Sequence, residues 1–203
     1  MTREMLLALA LGYLLGSIPF GLLLTRLAGK GDVRKIGSGN IGATNVLRTG
    51  SKALAGATLV LDCLKATAAV LIAHAVLERD LLEHGPAALA AGTGALIGHL
   101  YPVWLKLRGG KGVATFLGIL IPLLPVAALV YAAIWLVLLL TIRISSVAGM
   151  AAALSAPIAA LLFGVTQLFP ILLGFALLVV WKHRENIARL RAGTETRVGR
   201  KGG

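Results

Sequence analysis

Residues 113–142 and 144–181 run for 30 and 38 positions without a single charged side chain, and only Arg143 separates them. A hydrocarbon core about 30 Å thick needs roughly 20 helical residues to cross, so each run is long enough to span a bilayer. The whole chain departs in the same direction from a soluble domain. It is 58% hydrophobic and 14% charged, with a mean hydropathy of +0.89, against about 45–50% apolar and 25% charged for soluble domains. The expectation is an all-α integral membrane protein.

The apolar runs set the number of spans. The first, 5–27, is broken by Gly16, Ser17 and Pro19. Arg3 ahead of it imitates a secretory signal, but no clean small-residue cleavage site follows, so it reads as an uncleaved first span. The second and third are 53–77 and 86–105, separated by the mixed-charge stretch 78–84. As one helix, 113–142 would be about 45 Å long; Pro122 and Pro125 should break it. The run 144–181 divides at a turn near 164–170.

Loop charge then decides between one and two crossings for 113–142. With two, the basic regions 26–52, 106–111, 143 and 182–201 share one side. They hold six, three, one and seven of the 20 Lys and Arg residues. Cytoplasmic loops prefer Lys and Arg. The expected fold is therefore a seven-span helical bundle with some short spans, N-terminus outside and C-terminus cytoplasmic. One transmembrane domain, 1–192, precedes a basic tail, 193–203, expected to be disordered or to lie on anionic headgroups.

The formal charge of +12 is explained by this topology and not by nucleic acid, since no soluble domain carries a groove-reading element. The single cysteine, Cys63, permits no internal disulfide, and the scattered histidines make no metal site. No cofactor is expected.

Three polar motifs fall on the basic face. In GSGNIGATN (37–45), Gly37, Gly39 and Gly42 let the backbone bend and approach a ligand. Ser38, Asn40, Thr44 and Asn45 supply hydrogen bonds, and Arg48 supplies charge. An ordinary loop accounts for the glycines but not for so many Asn, Ser and Thr side chains. In the second motif, Gly109, Gly110, Lys111 and Gly112 precede a helix start, where successive N–H groups and a helix N-terminus suit an anion. It is not a Walker A loop, because Lys106 stands where that motif needs glycine. In the third, His183 and Asn186 are three apart and share a helical face; interfacial topology explains Lys182 and Arg184 but not these two. Arg143 and Ser146 are weaker additions. Within the membrane, Asp62 and Lys65 read as a structural ion pair, and His99 is placed to pack on the glycine loop. The HxxxxD signature of a common acyltransferase class is absent, and no Ser-His-Asp set can be assembled.

Taken together, GSGNIGATN at 37–45, GHLYPVWLKLRGGKGVAT at 98–115 and WKHRENIARL at 181–190 resemble the bacterial acyl-phosphate:glycerol-3-phosphate acyltransferases, the PlsY family. LDCLKA at 61–66 resembles that family's second-span pattern, with Ala66 where the pattern has glycine. The resemblance covers about residues 10 to 192 and implies acyl transfer from acyl phosphate to glycerol 3-phosphate, giving lysophosphatidic acid. It implies an inner-membrane, multi-pass monomer with its active site on the cytoplasmic side, in contact with membrane lipid and with an enzyme that supplies acyl phosphate. The chemistry of the residues agrees. Ser38, Lys111, His183 and Asn186 are the expected catalytic residues. Gly39, Asn40, Gly42, Thr44, Asn45, Arg48, Gly109, Gly110, Gly112, Arg143 and Ser146 are the expected substrate contacts.

Two rival readings are an anion transporter and a structural membrane subunit. Against the first, the polar motifs crowd one face instead of meeting at mid-membrane, and no inverted repeat is visible. The second leaves all three motifs without a role.

Overall fold

A computed structural model describes residues 1–77 and 85–199; the mixed-charge stretch 78–84 and the last tail residues lie outside the described residues. Among those described, regular structure is entirely helical, in ten α-helices with short single-turn connectors. The chain divides into two compact units, 1–123 and 124–203.

In the first unit, α1 (Arg3–Gly16) and α2 (Phe20–Leu27) form one apolar segment interrupted at Pro19, whose ring cannot continue a helix. The short α3 (Ala43–Val46) lies in the basic loop, and α4 (Lys52–Leu77) follows. Next come α5 (Pro86–Leu100) and α6 (Val113–Leu123). The packing of α1 on α5 depends on small residues from both helices. A Cβ at Gly12 or Gly16 would fall 2.0 or 2.1 Å from the carbonyl oxygen of Ala91 or Ala95. One at Gly94 or Gly98 would fall 2.2 or 2.3 Å from that of Leu9 or Tyr13. Two glycine pairs at four-residue spacing thus bring two backbones into direct contact, which is how membrane helices associate when lipid is as apolar as their side chains. The same device joins α6 to α4, where Gly118 lies against the Cys63 carbonyl and Thr67 donates to the Gly118 oxygen at 2.8 Å.

This packing predicts a sharp contrast between glycines. Gly94→Ala should lower stability by about 2 kcal/mol, the usual scale for overpacking a tight contact. Gly174→Ala, at a site with nothing within 4 Å, should be neutral or stabilising. Thermal unfolding in detergent reads both, and equal midpoints for the two variants would contradict the backbone contact.

In the second unit, α7 (Pro125–Thr141) packs on α8 (Ser145–Leu162), and α8 on α9 (Phe169–Lys182). The helix α10 (Arg184–Arg191) continues from α9 after a 56° bend at His183. Tyr131, Leu172, Ala176 and Val179 form part of this unit's buried core.

The breaks expected from sequence occur. The run 113–142 is interrupted at Leu124, between a helix containing Pro122 and one beginning at Pro125. The run 144–181 turns between Leu162 and Phe169. The span count is coarser than seven. Among the described residues, four segments are long and apolar enough to cross a bilayer (Arg3–Leu27, Lys52–Leu77, Pro86–Leu105, Ser145–Leu162), and the bent pair ending in α10 makes up to five. The helices α6 and α7 are apolar but shorter.

Candidate active site

In the first unit, the basic loop rests on a small apolar core of Leu22, Val33, Ile41, Val46 and Ala55. Asp32 anchors the loop. Its carboxylate caps the turn Val33–Lys35 and pairs with Arg34 at 2.6 Å and Arg26 at 3.0 Å. The Arg34 guanidinium beside it holds the Asp32 carboxyl well below the usual range. Gly37 has φ +52°, and a Cβ there would meet Arg48 Nη1 at 2.3 Å. Glycine at this position is what lets Arg48 lie along the loop.

Asn45 differs from its expected role. It is buried, and the two hydrogens of its amide nitrogen are shared among the carbonyls of Val33 (2.8 Å), Ile36 (3.1 Å) and Asn40 (2.7 Å). Its oxygen accepts from the Ser38 N–H at 3.1 Å. An amide committed to four backbone groups holds the loop's shape instead of reaching a substrate. Asn40 likewise accepts from Gly42 N–H at 2.9 Å. Ser38, Gly39, Thr44 and Arg48 are exposed on the outer side of this frame.

The second motif also departs from expectation in one respect. The Gly109 and Gly110 N–H groups donate to the carbonyls of Leu100 (3.2 Å) and His99 (2.9 Å), satisfying the end of α5. They are therefore spoken for and make no anion nest. A Cβ at Gly109 would lie 2.0 Å from the His99 carbonyl oxygen, and one at Gly110 2.0 Å from His99 Nε2, so both glycines are required by close packing. The positively charged or polarised groups that remain in the motif are half-buried Lys111 and the first turn of α6. There the amides of Ala114 and Thr115 find no acceptor within the helix. The Thr115 hydroxyl in that turn is fully buried and has no hydrogen-bond partner among the described residues.

In the second unit, His183 and Asn186 are both buried, 2% and 5% exposed. The helix is not continuous through them; His183 stands at the break, with φ −94° and ψ 7°. Its Nδ1 lies 2.7 Å from the Val179 carbonyl oxygen. A carbonyl only accepts, so Nδ1 carries a hydrogen.

Asn186 meets Ser146 through a residue that sequence reading passed over. The Glu195 carboxylate accepts from Ser146 Oγ at 2.7 Å, from the Asn186 amide, and from Arg189 Nε at 2.7 Å. Burial pushes the Glu195 carboxyl up, but the hydrogen bonds from Asn186, Ser146 and Arg189 outweigh it and leave the group below its ordinary value. Part of the tail is thus tied down, and Val198 N–H also donates to the Arg143 carbonyl at 2.7 Å. Arg143 itself is exposed and holds a left-handed φ of +63°. Nothing in the run of small and polar residues 192–199 marks Glu195 as an anchor; its role appears only when the chain folds back.

Known proteins resemble this chain both in sequence and in fold. The family model described as glycerol-3-phosphate acyltransferase matches residues 6–193. Proteins named glycerol-3-phosphate acyltransferase from Mesorhizobium japonicum and Agrobacterium fabrum are 57% and 54% identical. The alignments cover 100% of both chains in the first case, and 99% of this chain and 96% of the relative in the second. Two crystal structures of PlsY, an integral membrane glycerol 3-phosphate acyltransferase, align at 36% identity. The glycerol 3-phosphate form has a TM-score of 0.88 over 96% of each chain. The lysophosphatidic acid form has 0.85 over 96% of this chain and 95% of the other.

Proposed function

The chain belongs to the glycerol-3-phosphate acyltransferase family and is a multi-pass membrane acyltransferase, and from that premise we propose that it moves a fatty acyl group from acyl phosphate to the sn-1 hydroxyl of glycerol 3-phosphate, releasing phosphate and lysophosphatidic acid. The observation that carries this reading is the 0.88 alignment to a solved relative in its glycerol 3-phosphate form.

The residues support such chemistry. Acyl phosphate is a mixed anhydride with a good leaving group, so the enzyme has mainly to hold two anions and aim a hydroxyl. The C1 hydroxyl oxygen forms a bond to the acyl carbon, the bond from that carbon to the phosphate oxygen breaks, and phosphate leaves. Lys111, with the first turn of α6 and the Thr115 hydroxyl, takes a phosphate group and offsets charge developing on it. Ser38, Thr44 and Arg48 hold the other anion or the carbonyl; Gly39, Asn40, Gly42 and Asn45 shape their loop, and Gly109, Gly110 and Gly112 shape the one around Lys111. Asn186, Ser146 and Arg143 orient the acceptor. His183, through Nε2, or the departing phosphate takes the hydroxyl proton.

Four long spans, the bent fifth and two short apolar helices are compatible with seven crossings. In that arrangement the N-terminus is outside, the C-terminus is cytoplasmic, and the site lies on the cytoplasmic side of the inner membrane. The family match runs through both units as far as 193, in keeping with one catalytic domain, 1–192, and a short basic tail. The protein works as a monomer, drawing acyl phosphate from the enzyme that makes it.

Purified protein in detergent, given acyl phosphate and glycerol 3-phosphate, is expected to form lysophosphatidic acid and free phosphate in equal amounts. Acyl-labelled donor without acceptor is expected to leave no label on the protein; stable label at Ser38 would replace direct transfer with an acyl-enzyme. Failure to form product from both substrates would remove the reading altogether.

A further inference from the structure

The reaction above makes no use of a buried charged cluster in the first unit. Lys65 Nζ donates to Asp62 Oδ1 at 2.7 Å and to the Ile18 carbonyl at 2.8 Å, and lies 2.9 Å from His99 Nδ1. The Lys65 and Asp62 side chains are 2% and 4% exposed, and the Phe20 ring stands 5.8 Å from the ammonium. At the Pro19 break between α1 and α2, the Ile18 carbonyl accepts from Lys65 as well as from the Phe20 N–H at 3.1 Å.

An ammonium has three N–H bonds and no acceptor, and here three acceptors from three segments take one each. His99 Nδ1 therefore accepts, and the ring hydrogen sits on Nε2. That Nε2 edge lies against Gly110, where a Cβ would fall 2.0 Å from it, while the His99 carbonyl takes the Gly110 N–H at 2.9 Å. One residue thus holds the glycine loop at both ring and main chain.

We propose that Asp62, Lys65 and His99 form a positioning relay: Lys65, held by Asp62, fixes the His99 ring as its neutral Nε2–H tautomer, and that ring seats the 109–112 loop so that Lys111 meets a phosphate group. The cluster is more than an ion pair spared the membrane, because a pair needs two members and this one spends its third hydrogen bond on a histidine touching the loop. The proposal rests on the acyltransferase reading for what the loop holds, but not for the tautomer.

Two measurements test it. In ¹⁵N-histidine NMR of the detergent-solubilised protein, assigned by the signal lost in His99→Gln, His99 is expected to be neutral with its hydrogen on Nε2 from about pH 6 to 8. A hydrogen on Nδ1 overturns the relay. The second measurement uses the double variant Asp62→Leu/Lys65→Met, which removes both charges together and so leaves no unpaired ion, a change membrane and soluble cores commonly tolerate. It is expected to stay folded, lose the single tautomer, and raise KM for one of the two phosphate substrates about tenfold with a much smaller change in kcat, the scale of one lost positioning contact. Unchanged KM for both substrates overturns the proposal.

Should the double variant fail to fold, His99→Gln, which retains an N–H donor near the Nε2 position, is expected to recover most of the KM lost in His99→Ala; equal losses overturn the relay. Wild-type protein that forms no lysophosphatidic acid would end the acyltransferase reading instead, and the NMR result would stand or fall separately.

Discussion

Lys111→Ala is expected to lower kcat/KM for acyl transfer by about 10²–10³-fold, the range seen when one preorganised group facing transition-state charge is removed. The reason lies in what the fold has already spent. Gly109 and Gly110 donate their N–H groups to the end of α5, so in the proposed reaction the motif's pull on an anion falls to the Lys111 charge, the α6 terminus and the buried Thr115 hydroxyl. Lys111→Arg should recover only part of the loss, because a planar fork does not replace a compact ammonium. Steady-state kinetics with each substrate varied in turn reads both variants. A loss under threefold in Lys111→Ala would show that the loop's role is packing alone.

The second large effect is expected at Glu195, a residue with no chemistry of its own in the reaction. Glu195→Ala removes the acceptor shared by Ser146, Asn186 and Arg189 and leaves buried donors without it. Losing such a partner costs about 1–3 kcal/mol. If most of that appears as disorder of Asn186 and Ser146, kcat/KM should fall about 10- to 100-fold in protein that remains folded. Glu195→Gln keeps one acceptor oxygen and should fall less.

The pH dependence of the tail has a definite sign. A carboxyl whose folded value is depressed contributes stability above its unfolded value, ordinarily 4.5, and loses that contribution as pH falls through the lower folded value. Tail docking, followed by limited proteolysis after α10, should therefore persist at neutral and mildly acid pH and fail only below that range. Proteolysis and kinetics that are identical in wild type and Glu195→Ala would sink the assignment.

The helical character of the chain, its breaks at Leu124 and between Leu162 and Phe169, and the three polar motifs were all legible in one dimension. Each rests on a local rule: a charge-free run longer than a bilayer is thick, proline's missing N–H, or glycine beside basic residues. The roles of individual side chains within the motifs were less legible. Asn45 looked like a ligand and proves to be a strut; Gly109 and Gly110 looked like a nest and prove to be spacers against His99. In both cases a backbone group elsewhere in the fold had first claim on the hydrogen bond, and no spacing rule shows that claim.

From the order of its residues alone, this protein was committed to being a helical membrane protein with cations gathered between its apolar runs, because burying so many uncharged side chains depends only on composition and order; the acyltransferase type entered through the resemblance of its three motifs to a known family. Tertiary structure decided how the helices touch and which polar atoms are spent on architecture. The glycine faces of α1 and α5 meet, Lys65 divides its hydrogen bonds among three segments, and Glu195 returns from the tail to Ser146. Apart from Lys65–Asp62, these are contacts between residues at least 34 positions apart, and such contacts exist only once the chain has closed on itself.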